Sequence, residues 1–93
     1  MSNIIWSPRS RDDLRDIKEY ISIDSPRKAK KFIDELIEYP NRLSIFPNAS
    51  RPIPGCDIVG AKEVFYRDYR IAFRIVNDNI EILTIHHGSK LSP

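Results

Sequence analysis

Two serine–proline pairs, Ser7-Pro8 and Ser25-Pro26, stand 18 residues apart, and apolar residues at helical spacing follow each one. A serine hydroxyl accepts from the free N–H groups of a first helical turn, and proline's fixed φ suits the first helical position. Behind the first pair, Leu14, Ile17 and Ile21 form one stripe with Tyr20 beside it, which predicts a helix over about residues 8–22. Behind the second, Ala29, Phe32, Ile33, Leu36 and Ile37 form another stripe. Pro40 should kink or restart that helix, and Leu43, Ile45 and Phe46 continue its apolar pattern until Pro47 ends it. Only Ile23-Asp24-Ser25 separates the two helices, which favours an antiparallel helical hairpin.

Strands flank this hairpin. Residues 3–7 read as a short strand by their β-branched and aromatic content, and residues 47–60, with Pro47, Pro52, Pro54, Gly55 and Gly60, read as a loop. Lys62–Tyr66 is a second strand. Tyr69–Val76 is a third, with Ile71, Phe73 and Ile75 on one face and Arg70, Ala72 and Arg74 on the other. Arg67 and Asp68 are expected in the turn between them. Asn77-Asp78-Asn79 is tight-turn chemistry, and Ile80–His86 is apolar on both faces, as an interior strand would be. The expected fold is therefore α+β in the order β-α-α-β-β-β. The helical hairpin covers one face of a small, mainly antiparallel sheet, and the other face stays partly open.

Length and charge narrow the function. Ninety-three residues make one domain spanning 1–93, with a modest core. The fifteen Lys/Arg and thirteen Asp/Glu are evenly spread, so the chain has no bulk basic surface for bare nucleic acid. No apolar run approaches membrane-spanning length, and no basic segment leads into a long apolar stretch at the N-terminus. No signal peptide and no membrane partner are therefore expected. The single cysteine, Cys56, excludes an internal disulfide and a multi-cysteine zinc site, and a reducing cytoplasm is the simplest home. No cofactor is expected.

Few residues invite chemistry. Arg70 and Arg74 share one side of their strand, where guanidinium groups can grip a phosphate or a partner's carboxylate. A solvated sheet face with scattered ion pairs explains them equally well. His86 and His87 are the only histidines, and neighbours on a regular strand point to opposite faces, so the pair cannot share one metal. Trp6 fits a core-edge position, and Cys56 has no evident base beside it.

The ordered set of residues resembles a known family over nearly the whole chain. It runs Trp6-Ser7-Pro8, Asp13-Leu14, Ile17, Tyr20-Ile21, Ala29, Phe32, Leu43, Phe46-Pro47 and Arg51-Pro52. It continues through Glu63, Tyr69-Arg70-Ile71 and Ile82-Leu83 to His87-Gly88-Ser89-Lys90. This resembles ParE-type toxins of the RelE/ParE superfamily, with Ser10 where alanine is usual and Lys90 where arginine is common. The resemblance implies the toxin of a type II toxin–antitoxin module, a growth inhibitor associated with plasmid stabilisation and neutralised by a cognate antitoxin. ParE-like members inhibit DNA gyrase, whereas RelE-like members cut mRNA on the ribosome. A non-toxic, autoregulatory antitoxin-binding protein of the same fold is a third reading. A homodimer, or a heterotetramer with antitoxin, is the assembly such relatives imply.

For the nuclease reading, Glu63 is the candidate base, Arg70 or Arg74 the charge-stabilising cation and His87 the acid, with Lys90 nearby in sequence. The family pattern places its histidine immediately before the glycine, so His87 is favoured over His86 for the open face. Near-neutral charge and the lack of a terminal tyrosine or arginine favour the gyrase reading. On that reading, Arg70, Arg74, His87 and Lys90 form the expected partner-binding surface.

Overall fold

The computed structural model describes residues 3–44, 50–53 and 55–88. Lys90, Ser89, Ile45, Phe46, Pro47 and Pro54 lie outside the described residues. Strand β1 (Ile4–Trp6) leads into helices α1 (Pro8–Asp24) and α2 (Pro26–Glu38) and a 3-10 turn at Tyr39–Ser44. Four further strands follow: β2 (Arg51–Pro52), β3 (Lys62–Tyr66), β4 (Tyr69–Val76) and β5 (Asn79–His87). They form one sheet in the order β1-β5-β4-β3-β2, antiparallel except for the β1–β5 pair. No helix among the described residues is long and apolar enough to cross a membrane.

Both serine–proline signals start helices. Ser7 and Ser25 are extended N-caps whose hydroxyls accept from the N–H groups of Ser10 and Lys28. The 3-10 turn begins where Pro40 was expected to interrupt α2. At the β4–β5 hairpin, Asn77 and Asp78 both take positive φ, the geometry a two-residue type I′ turn requires. The stripes pack as read except at Ile37, which is exposed. Ile17 from α1 meets Ile33 and Leu36 from α2 over Ile71, Phe73, Ile80, Ile82 and Ile85 of the sheet. Trp6 packs at the edge of this core, while Tyr20, beside the α1 stripe, is mostly exposed. Ser10 is fully buried, and its hydroxyl donates to the Ser7 carbonyl at 2.8 Å. That bond offsets the cost of burying the hydroxyl.

Helix α1 runs two residues past its expected end, so that Ser25 alone links the helices, and two larger features depart from the sequence reading. The expected loop contains β2, a two-residue strand paired with β3 at Arg51↔Glu63 and Pro52↔Lys62. Its brevity and its proline hide it from any periodicity test, and both suit an edge strand. The second departure is a β-bulge. Ala72 pairs with Thr84 and Phe73 with Ile82, which leaves Leu83 with no partner on β4. Core-facing positions on β5 therefore step from Ile80 to Ile82 and then to Ile85.

Helix α1 secures this bulge. The Ser7 hydroxyl donates to the Leu83 carbonyl at 3.0 Å, and the Ser7 N–H donates to Ile82 O at 3.1 Å. The Asp13 carboxylate accepts from the Ile85 N–H at 2.9 Å and from Arg9 Nε at 3.3 Å. Asp13→Ala should therefore destabilise the fold by about 1–3 kcal/mol, the cost of leaving a buried N–H unpaired. Asp13→Asn keeps an acceptor and should lose less than half as much. Urea unfolding of the two variants checks the ordering, and equal losses would show that the carboxylate does not hold the bulge.

Candidate functional site

The bulge decides which side chains share the open sheet face. Strict alternation from Ile80 and Ile82 would turn His86 toward the helices and His87 outward. The extra residue inverts that parity, so His86 pairs in register with Arg70, and His87 with Tyr69. The expectation that His87 faces the open side is thereby corrected: His86 faces it. The His87 ring meets the Tyr69 ring edge-on at 5.2 Å, and Tyr69 packs in turn against Phe32 of α2. His87 lines a groove of about 510 Å³ with Asp16, Ile17, Tyr20 and Tyr69, and His86 borders that groove too. Burial, reinforced by Tyr20 and Asp68, raises the Tyr69 phenol above its ordinary pKa, so it stays protonated at neutral pH.

Glu63 is the centre of the open face, yet only 1% of its side chain is exposed. Its Oε2 accepts from Arg51 Nε at 2.8 Å and its Oε1 from Arg70 Nη1 at 3.0 Å. The carboxylate thus joins β2 to β3 and β4 through two charge-assisted bonds. Arg51 also lies over the Phe65 ring, 5.7 Å from its centroid. Arg74 Nε donates to Glu81 directly opposite on β5 at 2.6 Å. The structure therefore brings Glu63 and Arg70 together with His86. Arg74 is engaged further along the strand, and Lys90 lies outside the described residues.

Other features are structural. Arg67 takes positive φ in the β3–β4 turn, as a turn residue. The Gly88 N–H donates to the Asp68 carbonyl of that turn, and a Cβ at Gly88 would stand 2.8 Å from a Phe65 ring carbon. The glycine is thus required by close approach to the turn. Cys56 is exposed. Among the described residues, no group of three His, Cys, Asp or Glu side chains could hold a metal ion.

Arg51 and Asp13 carry roles that residue-type reasoning did not assign. Both lay in the matched pattern, but their partners are remote in sequence. Glu63→Ala should cost about 3 kcal/mol, because it leaves the largely buried Arg70 guanidinium without its counter-charge. Arg51→Ala should cost under about 1 kcal/mol, since that side chain is 63% exposed. Denaturant titration of both variants checks the contrast, and a larger loss for Arg51→Ala would contradict it.

The comparisons with known proteins agree on the fold. The chain is similar to a chain of the chromosomal ParDE toxin–antitoxin system of P. aeruginosa, at 23% identity and a TM-score of 0.74. That match covers 94% of this chain and 96% of the other. It is also similar to a chain of the RelBE2 toxin–antitoxin complex of Mycobacterium tuberculosis, at 20% identity and a TM-score of 0.67. Here 92% of this chain and 96% of the other are covered. No curated protein matches. The family model described as the ParE toxin of the type II toxin–antitoxin system parDE matches residues 4–91. With a five-stranded sheet under a helical hairpin and a match over almost its full length, the chain belongs to the ParE toxin family of type II toxin–antitoxin systems.

Proposed function

We propose that this toxin acts without catalysis, by binding DNA gyrase, and that a cognate antitoxin neutralises it. The observation that carries the non-catalytic reading is the state of Glu63. Cleavage of RNA at a 2′-hydroxyl needs a base that can reach that proton, and a cation free to meet the developing charge. Glu63 is buried, and both of its oxygens accept from guanidinium groups. Arg74 is held by Glu81. Glu63, Arg70 and Arg74 are thus each held in an ion pair, which leaves a surface suited to docking.

Gyrase as the target is supported by the resemblance to ParE-type toxins, which implies gyrase inhibition, and by the near-neutral charge of the chain. The antitoxin is supported by the toxin–antitoxin systems in which similar folds occur. One observation favours the mRNA interferase reading: His86 and Arg70 lie opposite each other on one face, an acid beside a cation. It lacks an accessible base.

Expression without antitoxin should arrest growth, induce DNA-damage signalling and leave transcripts intact. Purified toxin should inhibit gyrase supercoiling. Site-specific mRNA cleavage that disappears in His86→Ala would sink the gyrase reading in favour of the nuclease. Unimpaired growth would favour a non-toxic, autoregulatory protein.

A further inference from the structure

A hollow of about 360 Å³ lies between the open sheet face and the segment that carries Ile53, Cys56 and Ile58. Ile53, Ile58, Ala72 and Leu83 give it apolar walls, and Arg70 and His86 face each other at the end nearer the start of β4. A mostly apolar concavity with a few convergent polar groups is the usual form of a binding site.

Charge indicates what fits there. Three arginines on this face, Arg51, Arg70 and Arg74, stand against two carboxylates, Glu63 and Glu81, before His86 is counted. Asp57 lies between two lining residues in sequence but does not line the hollow. Glu63 engages one Nη of Arg70, while the buried Nε–H of Arg70 has no acceptor among the described residues. The open face therefore favours an acidic occupant over a basic one.

Spacing supplies the pattern. Arg70 and Ala72 are two residues apart on β4 and share a face, roughly 7 Å apart at the usual rise of a strand. An extended segment running along β4 repeats that interval between its own residues i and i+2. One side chain would then stand over Arg70 and the other over Ala72 and Leu83. We infer that the hollow seats an acidic–x–apolar stretch of the antitoxin in extended conformation. Its carboxylate meets Arg70 and His86, and its aliphatic or aromatic side chain fills the apolar walls. This rests on the antitoxin half of the proposed function and not on the gyrase half.

The test uses full-length toxin and the antitoxin encoded beside it. Ala72→Phe fills the hollow from the half-exposed face, Arg70→Gln removes the charge, and Lys31→Glu on α2 is a remote control. In variants that melt cooperatively, the Kd for antitoxin should rise at least tenfold for the first two and stay unchanged for the control. In the wild-type complex, amide exchange should slow at Ala72 and at Leu83–His86 relative to free toxin. That map decides the matter even where a variant does not fold. Unchanged affinities, or protection confined to the helical hairpin, would overturn the inference. If the variants keep antitoxin affinity but lose gyrase inhibition, the hollow belongs to gyrase; the inference then falls and the proposed target stands. If the antitoxin weakens as expected while wild-type toxin leaves gyrase untouched, the inference stands and the target reading falls. A wild-type chain that binds no antitoxin would end both.

Discussion

The bond between the Asp13 carboxylate and the Ile85 N–H, together with the Ser7 hydroxyl on the Leu83 carbonyl, holds the bulge on which this sheet depends. A bulge on an interior strand breaks the ladder and exposes backbone groups to an apolar interior, where each unpaired group is costly. Here the neighbouring helix supplies the missing partners. Ser7 is shared three ways: its hydroxyl caps α1 and meets the bulge, while its N–H extends the β1–β5 pairing. The start of α1 and the irregularity in β5 therefore form one unit. That unit fixes the rotation of the helix over the sheet, and with it the meeting of Ile17 with Ile85 and Ile82 in the core.

The open face shows a second use of polar groups. A buried carboxylate between two arginines is weak support for stability, since desolvation consumes most of the attraction. Its value lies in position. Glu63 ties a two-residue edge strand to the interior of the sheet, and that strand has little else to hold it in register. The cation–π contact of Arg51 with Phe65 works on the same strand from the solvent side. The segment after β2 is thereby kept over the sheet, where its isoleucines wall the hollow.

How much of this could be read from the residues depends on the range of the interaction. The helical hairpin, its two caps, the interruption at Pro40 and the Asn77-Asp78 turn are set by neighbours a few positions apart, so local chemistry revealed them. Strands β3, β4 and β5 emerged with bounds within a residue, because alternation on β4 reports burial directly. Strand β2 did not, since two residues have no period. The bulge was also hidden: Ile80-Glu81-Ile82-Leu83-Thr84-Ile85 is apolar on both faces, and no pattern in it marks the inserted residue. The residue pattern therefore does not reveal that His86, rather than His87, shares a face with Arg70. The engagement of Glu63 was equally hidden, because its two arginines lie 12 residues before it and 7 after it.

The bulge does more than orient a histidine. On a regular strand, Leu83 and Thr84 would face opposite sides of the sheet. Here both line the open-face hollow, next to Ala72 and His86. The floor of the hollow is thus made by the same inserted residue, Leu83, that Ser7 holds from the helical side, while Asp13 holds Ile85 just beyond it. A substitution at the start of α1, on the far side of the sheet, acts on the open face by releasing the register of β5 rather than through any contact with a partner. The pairing of Ser7 and Asp13 in one helix opening is therefore a requirement of the site as much as of the fold. A chain that kept the arginines but lost this clamp would present a differently shaped surface.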